Sequence, residues 1–148
     1  MYYSTTGIMR DVRTITYDPL GNLYLADSRG NFGLLRAGNS EVTKLRLQPV
    51  PRASGALQWD GLELAVLTTF KQRYAIWRYV VKGNSAQRGG IVDLKGAAGL
   101  NQFSTHGSGL AVASPEGVWL FNYPGGGPST YLIKQALGAE GVAISVAR

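Results

Sequence analysis

A hairpin that returns along the chain narrows its fold more than any other feature. Residues Ile15 to Asp27 read as two short strands around Asp18-Pro19-Leu20-Gly21-Asn22. Proline presets φ in such a turn, and Gly and Asn tolerate left-handed backbone. The pattern returns over Leu57 to Val66 and, more weakly, over Gln102 to Ala113; its first half returns again over Gly141 to Ser145. With Ile15, Leu57, Phe103 and Ala143 taken as equivalent, the offsets are 42, 46 and 40 residues. Each hairpin is followed by an alternating third strand (Phe32 to Arg36, Tyr74 to Val80, Gly117 to Tyr123). A more polar fourth strand comes next: Val42 to Leu47, Gly90 to Leu94, Ser129 to Lys134. Its alternation suits an outer edge with one solvated face.

A period of about 40 to 45 residues holding four short strands predicts a β-propeller. The expected fold is all-β, a partial propeller of about three four-stranded blades with a single strand at each end. The blades fall near 12–49, 53–95 and 99–135, residues 1–6 end a preceding blade, and 140–147 begin a following one, giving fourteen strands in one domain. Twenty glycines spread at intervals suit many tight turns. A β-sandwich also has many short strands, but its strands do not resemble one another at a fixed period. No segment carries a sustained helical stripe. The best candidate, Tyr131 to Leu137, reads as a strand running into a loop.

The repeat resembles the NHL type, whose blades carry motifs similar to Tyr17-Asp18-Pro19-Leu20-Gly21-Asn22-Leu23-Tyr24-Leu25-Ala26-Asp27. The segments Leu57 to Gly61, Ser85 to Leu94 and Phe121 to Pro128 are similar to a group of bacterial propeller proteins of unassigned function. The resemblance implies the C-terminal half of a longer propeller. It also implies an extracytoplasmic setting, since such relatives usually carry an export signal at the front. The chain's own start, Met1-Tyr2-Tyr3-Ser4-Thr5-Thr6, lacks the charged and apolar regions of a signal peptide, and its compartment stays open.

Chemistry is sparse in this sequence. The absence of cysteine removes disulfides, thiolate metal sites and a cysteine nucleophile. His106, the single histidine, falls in a turn with no Gly-x-Ser-x-Gly elbow near it, and is expected at the surface. Gly125-Gly126-Gly127-Pro128 lacks the Gly-Lys-Ser/Thr of a phosphate loop and reads as a turn. Oxygen donors for a hard cation in a central channel would come from Asp18, Asp60, Glu63, Asn101, Glu116 and Glu140. Asp18 and Asp60, however, hold matching turn positions where Asp commonly bonds its own backbone. No catalytic, cofactor or metal site is therefore assigned. Net charge is +6 on fifteen scattered Lys and Arg, without the basic stripe that nucleic acid requires. No apolar run is long enough to span a bilayer.

The aromatic residues Trp59, Trp77, Tyr79, Trp119 and Tyr123 hold related places and are expected in the core between blades. Binding of a carbohydrate, peptide or partner on the propeller's top face is the lesser reading of these aromatics; it would draw on residues such as Arg73, Tyr74 and His106, which no motif singles out. The expected function is a non-enzymatic binding or scaffold module for an unknown protein or carbohydrate ligand. The alternative is a sugar-lactonase-like hydrolase or lyase with a central metal. Open blade edges predict self-association.

Overall fold

A computed structural model describes residues 7–52, 56–70 and 73–145. Over these the chain is all-β, with fourteen short strands and one 3-10 turn, Lys134–Ala136. That turn sits where a strand running into a loop was expected.

The strands form three successive antiparallel meanders, which make up a partial propeller-like stack. The first unit is β1 (Val12–Tyr17), β2 (Leu23–Asp27), β3 (Phe32–Leu35) and β4 (Thr43–Lys44). After β5 (Arg46–Gln48) comes the second unit: β6 (Leu57–Trp59), β7 (Leu64–Phe70), β8 (Arg73–Lys82) and β9 (Ser85–Lys95). The third is β10 (Gln102–His106), β11 (Gly109–Ser114), β12 (Gly117–Asn122) and β14 (Tyr131–Ile133), with β13 (Gly127–Pro128) in the connection. Sheets follow one another in chain order, without the crossing connections of a sandwich.

Register makes the units equivalent. Ile15 pairs with Leu25, Leu57 with Val66 and Phe103 with Val112. Strand alternation then sends successive residues to opposite faces. One face of the second unit (Leu57, Leu64, Val66, Trp77, Tyr79) meets Tyr24, Phe32 and Leu34 of the first unit in one core. Its other face (Ala65, Leu67, Ile76, Val92, Leu94) meets Phe103, Leu110, Val112 and Phe121 of the third in another. The middle sheet is thus buried on both sides, and Leu64, Leu67, Ile76, Tyr79 and Val92 have no exposed surface. Tyr24 stacks on Trp59 across the first interface, ring centroids 5.6 Å apart. The first unit's outward face carries a small cluster of Met9, Leu25, Leu35 and Val42. Met9 and Val42 close directly over Gly33, where a side chain would have no room.

A repeated hydrogen bond joins the innermost strands. The residue after each equivalenced position accepts a backbone N–H from the next unit: Thr16 Oγ1 from Trp59 at 2.9 Å, Gln58 Oε1 from Thr105 at 2.9 Å, and Ser104 Oγ from Ile144 at 3.1 Å. The last of these places residues 141–145 where a fourth unit's inner strand would begin. The strand expected over 140–147 is nevertheless absent from its described part, residues 140–145. Among the described residues no second strand lies beside this segment to supply a ladder. The strand expected over residues 1–6 lies outside the described residues.

Two pairings depart from the simple meander. The fourth strand of the first unit, expected unbroken from Val42 to Leu47, divides at Leu45 into β4, paired with β3, and β5, paired in parallel with Ser85–Gln87 at the start of β9. At the other end of β9, Leu94 and Lys95 pair in parallel with Gly127 and Pro128 of β13. The outer edge of the middle unit is therefore clasped by both neighbours.

Candidate functional site

The inner strands β1, β6 and β10 give the stack two ends, one at their starts and one at their finishes. At the starting end, Arg13 and Thr14 of β1, Asp27 at the end of β2, Asn101 and Gln102 at the head of β10, and Glu140 surround a cavity of about 610 Å³. The apolar floor comes from Ala56 and Leu100. This is where polar groups of different units converge.

Asp27 reaches that cavity already saturated. Its Oδ1 accepts the N–H of Arg29 at 2.9 Å and of Asn31 at 2.8 Å; its Oδ2 accepts Asn31 Nδ2 at 2.8 Å and the Arg10 N–H at 3.2 Å. Asp18 is built the same way in the preceding turn. Its Oδ1 accepts from Leu20 N and Asn22 N, both at 2.9 Å, and its Oδ2 from Asn22 Nδ2 at 2.8 Å and the Tyr24 hydroxyl at 3.0 Å. Asp18-Pro19-Leu20-Gly21-Asn22 and Asp27-Ser28-Arg29-Gly30-Asn31 are one turn used twice, with Gly21 at φ +81° and Gly30 at φ +78°. Burial pushes both carboxyls up, yet the donated hydrogen bonds outweigh it and hold them below the usual carboxylate range.

At the finishing end, Asp60 follows β6 and joins two units. Its Oδ1 caps its own turn, accepting the N–H of Leu62 at 3.0 Å and of Glu63 at 2.8 Å. Its Oδ2 accepts Arg78 Nε at 2.7 Å and, from the third unit, the Tyr123 hydroxyl at 2.5 Å. The other arm of Arg78 meets Glu63 at 3.1 Å, and its guanidinium lies 5.6 Å from the Tyr123 ring centre. Burial opposes ionisation of Asp60, but Tyr123 and Arg78 prevail and keep its carboxyl low. Burial, with the Asp60 charge beside it, raises the Tyr123 phenol. The arrangement is a charged clamp across an interface. A smaller cleft of about 360 Å³ lies nearby between the first two units, bordered by Asp18, Arg36, Tyr24, Trp59 and Leu62.

The six oxygen donors considered for a cation are thus separated. Asn101 and Glu140 share the starting-end cavity, Asp60 and Glu63 share the clamp, Asp18 is locked in its turn, and Glu116 is exposed between β11 and β12. Among the described residues no three His, Asp or Glu side chains stand together as a metal cluster. His106 is exposed at the end of β10, facing Gly109 across a two-residue turn. Arg73 opens β8 and is exposed, with Tyr74 half-buried beside it; neither lines the starting-end cavity. Of the aromatics, Trp77, Tyr79 and Tyr123 are buried, and Trp59 and Trp119 are half-buried against the same cores.

Arg13, Gln102 and Asp27 at the cavity, and Arg78 in the clamp, were not singled out from sequence. The Asp27 turn carried a usable signal, since its Asp-x-x-Gly-Asn spacing repeats that of Asp18 nine residues later. Arg78 carried none, being one of many scattered basic residues.

No family model matches the chain, and no curated protein matches it. Among solved structures it is similar to a protein from Thermus thermophilus described as an oxidoreductase (glucose dehydrogenase), with a TM-score of 0.57 and 13% sequence identity. The match covers 80% of this chain and 46% of that one, so the chain spans about half the length of the structure it resembles. At that identity the likeness concerns the fold alone.

Proposed function

We propose that the chain is a propeller binding or scaffold unit of the NHL-repeat type, and that its ligand, a protein or carbohydrate, sits in the cavity at the heads of β1 and β10. The observation that carries this reading is the convergence of Arg13, Thr14, Asn101, Gln102 and Glu140 around about 610 Å³. Amide, hydroxyl and charged side chains over an apolar floor suit a polar ligand held by several directional contacts. Asp18, Asp27 and Asp60, by contrast, spend their carboxylates on turns and on the interface between units.

The test is a glycan and peptide panel screened by thermal shift, repeated on Asn101→Ala and Glu140→Gln. Binding that those substitutions weaken supports the proposal. Ligands that bind both variants as well as the parent chain refute it.

A second reading, a sugar-processing enzyme of the lactonase type with a central metal, draws on the name of the structural neighbour and on the meeting of Asn101 and Glu140. A calcium ion takes six to eight oxygen ligands. Here two side chains and an Asp27 already holding four hydrogen bonds do not fit that demand. Lactone turnover that rises with added calcium and falls in Glu140→Gln would establish the enzyme reading over the binding one.

A further inference from the structure

Two clefts of opposite character meet at the turn between β8 and β9. Gly83 borders the cleft of about 360 Å³ between the first two units, and the next residue, Asn84, borders another of about 440 Å³. The first is largely apolar. Tyr24 and Leu34 form buried walls, Trp59 and Val81 are half-buried, and Leu20 and Leu62 stand at the rim, each 79% exposed. Asp18 lines it as well, with its carboxylate held by four hydrogen bonds. The second cleft is polar throughout, lined by Lys44, Arg46, Asn84 and Ser85.

The two leucines hold one position of the repeat. Tyr17, Trp59 and Thr105 are register equivalents, paired with Leu23, Leu64 and Leu110, and the third residue after each is Leu20, Leu62 and Ser108. The turn therefore accepts serine, and folding does not require leucine there. A single exposed leucine is ordinary surface, but two on the rim of one cleft make a continuous apolar surface.

Cations gather where the clefts join. Arg36 lines the apolar cleft, and its Nη2 donates to Asn84 Oδ1 at 3.0 Å. The backbone N–H of Arg46 donates to the Asn84 carbonyl at 2.9 Å, so the Arg46 side chain takes no part in that bond. Arg36, Lys44 and Arg46 are all exposed. Among the described residues the ion pairs are those of Arg78, which leaves these three cations without a carboxylate.

We infer that this joined surface docks a peptide segment of a partner protein in which a large apolar side chain is flanked by carboxylates. The apolar side chain enters between Leu20 and Leu62, and the carboxylates meet Arg36, Lys44 and Arg46. Charge complementarity selects the acidic flanks, and the planar guanidinium suits a carboxylate. The apolar cleft selects the anchor, which a bare polyanion lacks. The surface lies at the other end of the stack from the cavity at the heads of β1 and β10, and its occupant is separate from the ligand proposed there.

The test is selection of a phage-displayed random dodecapeptide library on the full chain, followed by fluorescence polarisation with the enriched peptides. Two variant pairs are compared with the parent: Leu20→Ser with Leu62→Ser, and Lys44→Gln with Arg46→Gln. All four side chains are exposed, and circular dichroism checks that each variant keeps its strands. Enriched peptides are expected to combine Leu, Ile, Phe or Trp with neighbouring Asp or Glu. Their binding should weaken about tenfold in either variant pair, the scale of a lost interface anchor or close charge pair, and should weaken as salt rises. No enrichment overturns the inference, as do peptides that bind both variant pairs as well as the parent. Loss in the charge pair alone, matched by oligothymidylate or by phosphatidylserine vesicles, shows a plain anion site or a membrane surface and overturns it too. A peptide that Asn101→Ala weakens instead belongs to the cavity at the heads of β1 and β10, and counts against docking here.

Discussion

Replacing Asp60 with Asn tests whether the clamp joins the second and third units. The substitution keeps Oδ1 and its two turn hydrogen bonds, but presents an NH₂ group to two donors, Arg78 Nε at 2.7 Å and the Tyr123 hydroxyl at 2.5 Å. Removing one partner of a buried ion pair costs about 3–5 kcal/mol. Asp60 is as buried as that case requires, at 1% side-chain exposure, but Arg78 is 19% exposed and retains Glu63. The expected loss therefore falls lower, about 2–3 kcal/mol, since a hydrogen bond to a charged group contributes about 1.5–3 kcal/mol. For a domain of this size that is a drop in Tm of roughly 5–10 °C. The sign of the pH dependence follows from the lowered carboxyl. As pH falls, the unfolded chain takes up the proton first, near 3.8, while the folded Asp60 still resists it. The stabilisation is complete above about pH 5 and drains away as pH falls through 3.8 towards the folded value. Urea unfolding at neutral pH and near pH 3.5 checks both parts: Asp60→Asn should be weaker at neutral pH and lose less on acidification. A neutral-pH loss under about 0.5 kcal/mol, the scale of an ordinary surface change, or an unchanged acid slope refutes the clamp.

The other predictions concern the turns and the seams. Asp27→Ala strands three backbone N–H groups and the Asn31 amide, and should cost about 2–3 kcal/mol in chemical denaturation; Asp18→Ala should cost a similar amount. Thr16→Val removes the acceptor for Trp59 N and keeps the side chain's shape, so a loss of about 1 kcal/mol is expected, together with faster hydrogen exchange at the Trp59 amide. Gly33→Ala drives a methyl into Met9 and to 2.7 Å from Val42 Cγ1; overpacking should cost about 1–3 kcal/mol, part of it recovered by adding Met9→Ala.

The repeat was legible because burial between sheets forces the same apolar spacing wherever a hairpin recurs. Ile15, Leu57 and Phe103 are register equivalents, paired alike with Leu25, Val66 and Val112. The self-capping of Asp18 and Asp60 was legible too, since a short acidic side chain in a turn has amides within reach. What pairs with Asp60 across the interface was not, because Arg78 and Tyr123 lie 18 and 63 residues away. The β5 and β13 pairings are three and two residues long, too short to leave a period. Residues 141–145 show the converse failure. Their alternation is that of a strand, but a ladder needs a second strand and the described chain gives them none. The cavity at the heads of β1 and β10 draws one or two residues from each of several strands and turns, so no local motif marks it.

Tandem-repeat folds are usually treated as strings of exchangeable cassettes, each touching its neighbours only through a flat face. The clasp on β9 breaks that modularity. Ser85–Gln87 are hydrogen-bonded to the unit before, and Leu94–Lys95 to the unit after. Deleting, duplicating or shuffling the middle repeat would sever main-chain pairings on both sides, whichever side chains were kept. Fusions and insertions that preserve function should therefore cut outside the block from β5 to β13, and lineages that change repeat number should do so at its ends.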